Sequence, residues 1–157
     1  MRAAIVRSPG GLENVTIVER AVRQPGPGEV LIKVAHSSLN YRDYAVAMGN
    51  LPVGDGRILM SDGTGEVVSG GPGTTRFKPG DQVMAAFFPK WSGGPGHGDR
   101  RTGVPGDAID GFAAEYAVYP ESGLMRPPRG YTLAEAAALP APGSRNPSGS
   151  APRALFF

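Results

Sequence analysis

The 157-residue chain contains no cysteine. That absence excludes disulfide bonds, thiolate nucleophiles and cysteine-ligated metal sites together. No apolar run approaches the roughly 20 residues of a membrane helix, and no apolar stretch of about 7–15 residues follows the basic amino terminus. We therefore expect a soluble cytoplasmic protein with no signal peptide and no membrane association.

An excess of one charge is also absent from most of the chain. Of the 16 basic residues, only Arg145 and Arg153 lie after Leu139, where no acid occurs, so residues 1–139 carry 14 basic and 14 acidic side chains. Phosphate binding requires clustered, unpaired Lys and Arg. The sequence therefore predicts no nucleic-acid surface.

Glycine and proline, in contrast, are abundant, with 24 and 16 residues respectively. Much of this Gly and Pro separates alternating apolar runs, a pattern typical of many short strands joined by turns. The fold class predicted is mainly β with short helices. Alternation predicts strands at 2–7, 14–19, 29–35, 82–88 and 112–119, and capping patterns predict helices at 40–48 and 132–139.

The two clearest strands also predict which side chains share a face. In the strand at 29–35, the residues on one face are Val30, Ile32 and Val34. In the strand at 112–119, alternation groups Phe112, Ala114, Tyr116 and Val118.

Two segments lack a regular pattern. Residues 89–111, with Trp91 and His97, form a loop longer than usual connections, which favours either a lid over a site or a mobile surface loop. Residues 140–157 hold four prolines, three serines and two glycines in eighteen residues. We predict that this tail is disordered or loosely attached, because Pro140 and Pro142 lack the amide donors needed to extend the preceding helix.

Several phrases, in their order and spacing, resemble the catalytic domain of the medium-chain dehydrogenase/reductase family. They run Gly26-Pro27-Gly28-Glu29-Val30, Ser38-Leu39-Asn40-Tyr41-Arg42-Asp43, Ser61-Asp62-Gly63-Thr64-Gly65, Lys78-Pro79-Gly80-Asp81 and Asp110-Gly111-Phe112. The Leu-Asn-Tyr-Arg-Asp version resembles the zinc-free quinone-oxidoreductase branch. The resemblance covers residues 1–139 and implies a GroES-like, partly open β-barrel, with residues 140–157 as a divergent tail.

The resemblance also bears on zinc. The zinc alcohol dehydrogenases of this family place a Cys ligand where this chain has Asn40 and a His ligand where it has Asp62. The only histidines, His36 and His97, do not match the ligand positions. A catalytic zinc requires three protein ligands and an open position, so we expect no metal.

The implied chemistry is transfer of hydride from NADPH to a quinone or an α,β-unsaturated carbonyl. The resemblance implies that Asn40 and Tyr41 are catalytic and lie near the nicotinamide ribose and the substrate. Arg42, Asp43 and Asp62 would complete the cofactor-binding side. Hydrogen-bond donors suit this role because they stabilise developing oxyanion or enolate charge.

Each of these residues also has a plain structural explanation. Asn40 suits the N-cap of a helix, and Asp43 suits the positive end of the helix dipole. Tyr41 is equally an aromatic residue of a rim or core. Asp62 precedes Gly63, as in many turns.

The cofactor half of the family is not recognisable in the chain. Neither glycine-rich stretch, at 69–73 or 93–98, lies between a strand and a helix of a βαβ unit, as a dinucleotide fingerprint requires. We expect the Rossmann domain to be absent after a frameshift or truncation near Pro140, and the fragment to be inactive alone. No oligomeric state is predicted. The alternative is a stand-alone GroES-like module that binds a partner or small molecule without catalysis; a chaperonin-type ring protein agrees less well with the Asn40 and Asp62 phrases.

Overall fold

A computed structural model describes residues 1–90 and 103–144. Its strands form two antiparallel sheets that do not close into one barrel. The strands are β1 (Arg2–Val6), β2 (Val15–Glu19), β3 (Glu29–His36), β4 (Arg57–Ile58), β5 (Thr64–Gly70), β6 (Gln82–Ala85), β7 (Tyr116–Pro120) and β8 (Leu124–Met125). The helices are α1 (Tyr41–Ala47), α2 (Leu133–Ala137) and α3 (Pro140–Ser144). The prediction of a mainly β fold with short helices is confirmed.

The five-stranded sheet, in the order β7-β3-β5-β6-β8, carries the main core. At its centre, β3 pairs with both β5 and β7. Val30 and Ile32 are fully buried and Val34 packs against the same cluster, as the alternation predicts. The smaller sheet has the order β2-β1-β4.

Glycine is required where β5 begins, because the neighbouring chain leaves no room for a side chain. A Cβ on Gly63 would lie within 3.0 Å of the Phe112 ring, and one on Gly65 within 3.0 Å of the Lys33 carbonyl oxygen. Real Cβ atoms essentially never come so close. The Ser-Asp-Gly-Thr-Gly phrase therefore allows a close approach of β5 to β3 and fixes the position of Asp62.

The predicted strand at 112–119 is only half correct, and the residues grouped on one face do not stay together, since only Phe112 of the four belongs to the core cluster. The observed strand is Tyr116–Pro120, and it is Ala117 and Tyr119 that contact the core, whereas Tyr116 and Val118 do not. The reason lies at Glu115, whose N–H donates to Arg2 in the small sheet and whose carbonyl accepts from Val34 in the large one. Because the chain changes sheets here, one alternation does not extend through the segment.

The first five residues of the tail, which is predicted to be disordered or loosely attached, have regular structure. Pro140–Ser144 form α3, and Ala141 is buried with 7% exposure. Proline is tolerated in the first turn of a helix, where amide donors have no helical partner. Residues 145–157 lie outside the described residues, as do Trp91 and His97 of the predicted loop.

The predicted helices at 40–48 and 132–139 are both present in shorter form, as α1 and α2. None of the described helices is long and apolar enough to cross a membrane.

Candidate functional site

A cleft of about 650 Å³ lies between the start of α1 and helix α3. Its polar side carries Asn40, Tyr41 and Arg42, three of the five predicted site residues. Its other lining residues are mostly apolar, namely Leu39, Leu51, Phe87, Phe88, Val104, Ala141 and Pro142. A second groove, of about 400 Å³, is lined by Arg20, Arg57 and Tyr116 among others and contains none of the predicted site residues.

Asn40 is held in place at the amino terminus of α1. It is the N-cap residue, and its backbone N–H donates to Asp43 Oδ2 over 2.7 Å, the returning half of a capping box. Its side-chain Nδ2 donates to Asp62 Oδ2 over 3.0 Å and to the Ser38 carbonyl over 3.3 Å. The amide NH2 therefore has acceptors within the chain, and Asn40 serves both as cap and as cleft wall.

Tyr41 is the most exposed of the predicted residues, with 70% of its surface accessible. Its ring lies 6.2 Å from that of Tyr44, one helical turn further along the exposed face of α1. Within the described residues the structure gives the Tyr41 hydroxyl no hydrogen bond. That hydroxyl is therefore available to donate to a molecule in the cleft.

Arg42 forms an ion pair with Asp107, and its guanidinium lies 5.7 Å from the centre of the Phe87 ring. The Asp107 carboxylate balances its charge, so the polar wall of the cleft is close to neutral. Asp107 and Phe87 also fix α1 to the segments that line the opposite side.

Asp43 lies beneath the helix rather than in the cleft. It is 4% exposed, and its second carboxylate oxygen accepts the N–H of Ser61 over 2.8 Å. By bonding both Asn40 and Ser61, it joins the start of α1 to the segment that carries Asp62. This contact pattern agrees with the structural explanation of Asp43 and gives it a supporting role.

Asp62 is fully buried at the base of the cleft. Its carboxylate accepts from the Ser38 hydroxyl, the Asn40 amide and the backbone N–H of Ala141, over 3.0–3.2 Å. Burial raises its pKa from the ordinary 3.8 to about 6, although these three donors act in the opposite direction and the nearby Asp43 adds to the rise. The same negative charge, together with burial, raises the pKa of Tyr119.

The sequence alone did not identify four residues that shape the cleft. Phe87 and Phe88 were predicted to continue a strand, Val104 fell within a long loop, and Ala141 fell within the predicted tail. None has a local signal for a site, because hydrophobic side chains and a backbone N–H are common to every fold. Their place in the cleft follows only from the tertiary structure.

The described residues around Asn40 and Asp62 do not fit a catalytic zinc. Among residues 1–90 and 103–144, no three His, Cys, Asp or Glu side chains lie together as metal ligands. The carboxylate oxygens of Asp62 are already occupied by three donors. We therefore derive no chemistry through a metal.

Comparison with known proteins identifies the family. Residues 26–129 match the alcohol dehydrogenase GroES-like domain, so the chain belongs to this family, as the medium-chain dehydrogenase/reductase resemblance implied. It is similar to a zinc-type alcohol dehydrogenase-like protein of Schizosaccharomyces pombe, with 35% identity over 73% of this chain and 34% of the relative.

Two solved structures show the same likeness. A NAD-dependent alcohol dehydrogenase matches with a TM-score of 0.79 and 32% identity, over 91% of this chain and 44% of the other. A mycobacterial quinone oxidoreductase matches with a TM-score of 0.67 and 27% identity, over 88% of this chain and 37% of the other. The chain thus spans less than half the length of these relatives, and what it shares with the family is the alcohol dehydrogenase GroES-like domain.

Proposed function

We propose that this chain is the catalytic-domain portion of an NADPH-dependent oxidoreductase that uses no zinc and transfers hydride to a quinone or an α,β-unsaturated carbonyl. The observation that carries the proposal is the two-sided cleft. Tyr41 with an available hydroxyl and Asn40 lie on one side, and Phe87, Phe88 and Val104 supply an apolar surface on the other. A flat, uncharged acceptor with one polar oxygen matches these two sides.

The residues of the chain have separable roles in this proposal. NADPH, when bound, supplies the hydride. The apolar wall holds the acceptor and keeps water away from it, which strengthens polar interactions within the cleft. The Tyr41 hydroxyl donates a hydrogen bond to the oxygen on which negative charge develops. Asn40, fixed by Asp62, sets the position of Tyr41 through the start of α1.

Asn40 and Asp62 support the proposed independence from zinc. Asn40 uses its amide within the chain, and the Asp62 carboxylate accepts hydrogen bonds from three donors. A zinc ion at this place would require three deprotonated ligands around an open position. The chain is 35% identical to a zinc-type relative, and Asn40 and Asp62 are the residues on which we propose different chemistry for it.

The test is an NADPH-oxidation assay with menadione and a medium-chain enal. It is run on the 157-residue chain and on the same chain joined to the cofactor-binding half of a two-domain relative. We expect turnover by the joined protein that is unaffected by 1,10-phenanthroline, and no turnover by the chain alone. Chelator-sensitive alcohol oxidation would contradict the proposal. Sub-micromolar binding of NADPH to the chain alone, measured by calorimetry, would show that no second half is needed.

Tyr41→Phe tests the donor in the joined protein, with Tyr44→Phe as the matched control on the same helix face. Loss of one donor to a developing oxyanion lowers kcat by about 100-fold in well-ordered sites. Because Tyr41 is exposed in this domain, we expect a smaller loss of at least about tenfold for Tyr41→Phe and no change for Tyr44→Phe. Equal effects of the two substitutions would exclude Tyr41 as the donor.

A further inference from the structure

We propose that Asp62 is a positioning residue that holds the two walls of the cleft together, joining Asn40 at the start of α1 to Ala141 in α3. This role of Asp62 concerns only the geometry of the cleft, so it does not depend on which molecule the cleft binds.

The geometry rests on one carboxylate that contacts both walls. Asp62 Oδ2 accepts the Asn40 side-chain amide over 3.0 Å. The backbone N–H of Ala141 donates to both carboxylate oxygens, over 3.1 and 3.2 Å. Asn40, at the start of α1, and Ala141, in α3, both line the cleft. One buried carboxylate therefore contacts a cleft-lining residue of each of the two helices.

The charge of the carboxylate matters for this link. An ionised carboxylate offers acceptor sites on both oxygens, whereas a protonated one turns one oxygen into a donor. Among the described ion pairs none includes Asp62, so hydrogen bonds alone stabilise its charge. Hydrogen bonds to charged groups are stronger than neutral ones, and the loss of charge weakens both sides of the link.

The titratable groups around Asp62 are few. Asp43, from α1, raises the pKa of Asp62, and Tyr119, from β7, has its own pKa raised by Asp62. Neither supplies a positive charge. The sequence of α3, Pro-Ala-Pro-Gly-Ser, contains no titratable side chain. The midpoint for loss of the link is therefore the pKa of Asp62 itself, about 6.

A separate contact holds the preceding helix. The Thr64 hydroxyl donates to the carbonyl of Leu133 over 2.9 Å, which fixes the start of α2 to β5. We therefore expect loss of the Asp62 link to weaken the attachment of α3 more than that of α2. This separation makes a specific effect at α3 distinguishable from general unfolding.

The first test is an NMR titration of the 157-residue chain between pH 4 and 8. We expect the backbone amide of Ala141 and the side-chain amide of Asn40 to shift with one common midpoint near the pKa of Asp62. In Asp62→Asn both titrations disappear. The amide of Thr132, which donates to Glu135, is the control and does not follow that midpoint. Independent midpoints, or no shift of Ala141 in the natural chain, would overturn the proposal.

The second test is limited trypsin digestion at pH 7.5, with cleavage after Arg145 as the readout and cleavage after Arg129 as the control. Loss of a hydrogen bond to a charged group corresponds to a factor of about ten or more. We therefore expect cleavage after Arg145 to be about tenfold faster in Asp62→Asn, with the Arg129 site unchanged. Equal acceleration at both sites, or none at Arg145, would refute the link.

Ala141→Pro removes the N–H donor and leaves the carboxylate intact, so it tests the link even if Asp62→Asn does not fold. Proline is acceptable in the first turn of a helix. We expect the same faster cleavage after Arg145. We also expect the Asn40 amide to titrate at a higher pH than in the natural chain, because one donor that lowers the pKa of Asp62 is gone. An unchanged midpoint together with an unchanged cleavage rate would show that Ala141 does not contact the carboxylate in solution.

Discussion

The burial of Asp62 predicts an unusual dependence of stability on pH. In the folded chain its pKa is about 6, whereas the ordinary value is 3.8. A group that binds its proton more tightly in the folded state stabilises the fold fully below the unfolded pKa, and this contribution is lost as pH rises through the folded pKa. From this residue, the free energy of unfolding therefore falls between pH 4 and pH 6. Most acidic residues act in the opposite direction.

The magnitude follows from the pKa difference. One pKa unit corresponds to about 1.4 kcal/mol, and part of the unfolded carboxyl is still protonated at pH 4, so the contribution of Asp62 changes by about 2.4 kcal/mol between pH 4 and pH 7. Asp62→Asn does not titrate. We expect the free energy of unfolding of the natural chain, minus that of Asp62→Asn, to fall by this amount over the same range, whatever its absolute value at either end.

Urea unfolding at pH 4, 5, 6 and 7, followed by Trp91 fluorescence and by circular dichroism, measures the difference. Glu135→Gln is the matched control, because hydrogen bonds from Thr132 lower the pKa of Glu135. Its contribution is present above the ordinary pKa and is lost as pH falls, the opposite sign. The stability difference between the natural chain and Asp62→Asn could instead stay constant across the range or rise with pH. Either result would refute a buried Asp62 carboxyl with a pKa raised to about 6.

Two further substitutions test the packing around the site. Gly65→Ala places a Cβ against the Lys33 carbonyl, and we expect thermal unfolding to show a loss of about 1–3 kcal/mol; an unchanged midpoint would contradict the close approach of β5 to β3. Tyr119→Phe removes the 2.8 Å hydrogen bond from its hydroxyl to the Ala86 carbonyl and is expected to lose about 1 kcal/mol. Tyr41→Phe, at an exposed position, is expected to change the free energy of unfolding by no more than about 0.5 kcal/mol. Equal losses for the two tyrosines would therefore show that the Tyr119 hydroxyl does not bond to the Ala86 carbonyl.

The elements that sequence reasoning identified are those whose signal is local. The strand β3 shows alternation through Val30, Ile32 and Val34, and the same side chains meet in the core. The helix α2 follows Thr132, whose capping box with Glu135 is present in the structure. Both signals depend on residues within a few positions of one another, and no tertiary contact is needed to interpret them.

The elements that are predicted incorrectly from the sequence depend on contacts between distant parts of the chain. Alternation at 112–119 was continued through Glu115, where the chain passes from one sheet to the other. The cleft depends on Phe87 reaching Arg42 and on Asp107 pairing with it across 65 residues. Nothing in the neighbouring sequence of these residues indicates such a contact. The family resemblance identifies Asn40 and Tyr41 as site residues, whereas the apolar residues of the cleft are recognised only in the structure.

The tail shows why composition was a poor guide to the site. Pro140 and Pro142 suggested that the chain loses order after Leu139, and the same prolines are compatible with the first turn of a new helix. The backbone N–H of the residue between them, Ala141, donates to Asp62. A carboxylate stands where zinc relatives of the family have a histidine, and it is stabilised by a backbone N–H from the segment that composition assigned to disorder. A fragment ending at Leu139 is therefore expected to lose the contact of Ala141 with Asp62, and with it part of the geometry around Asn40.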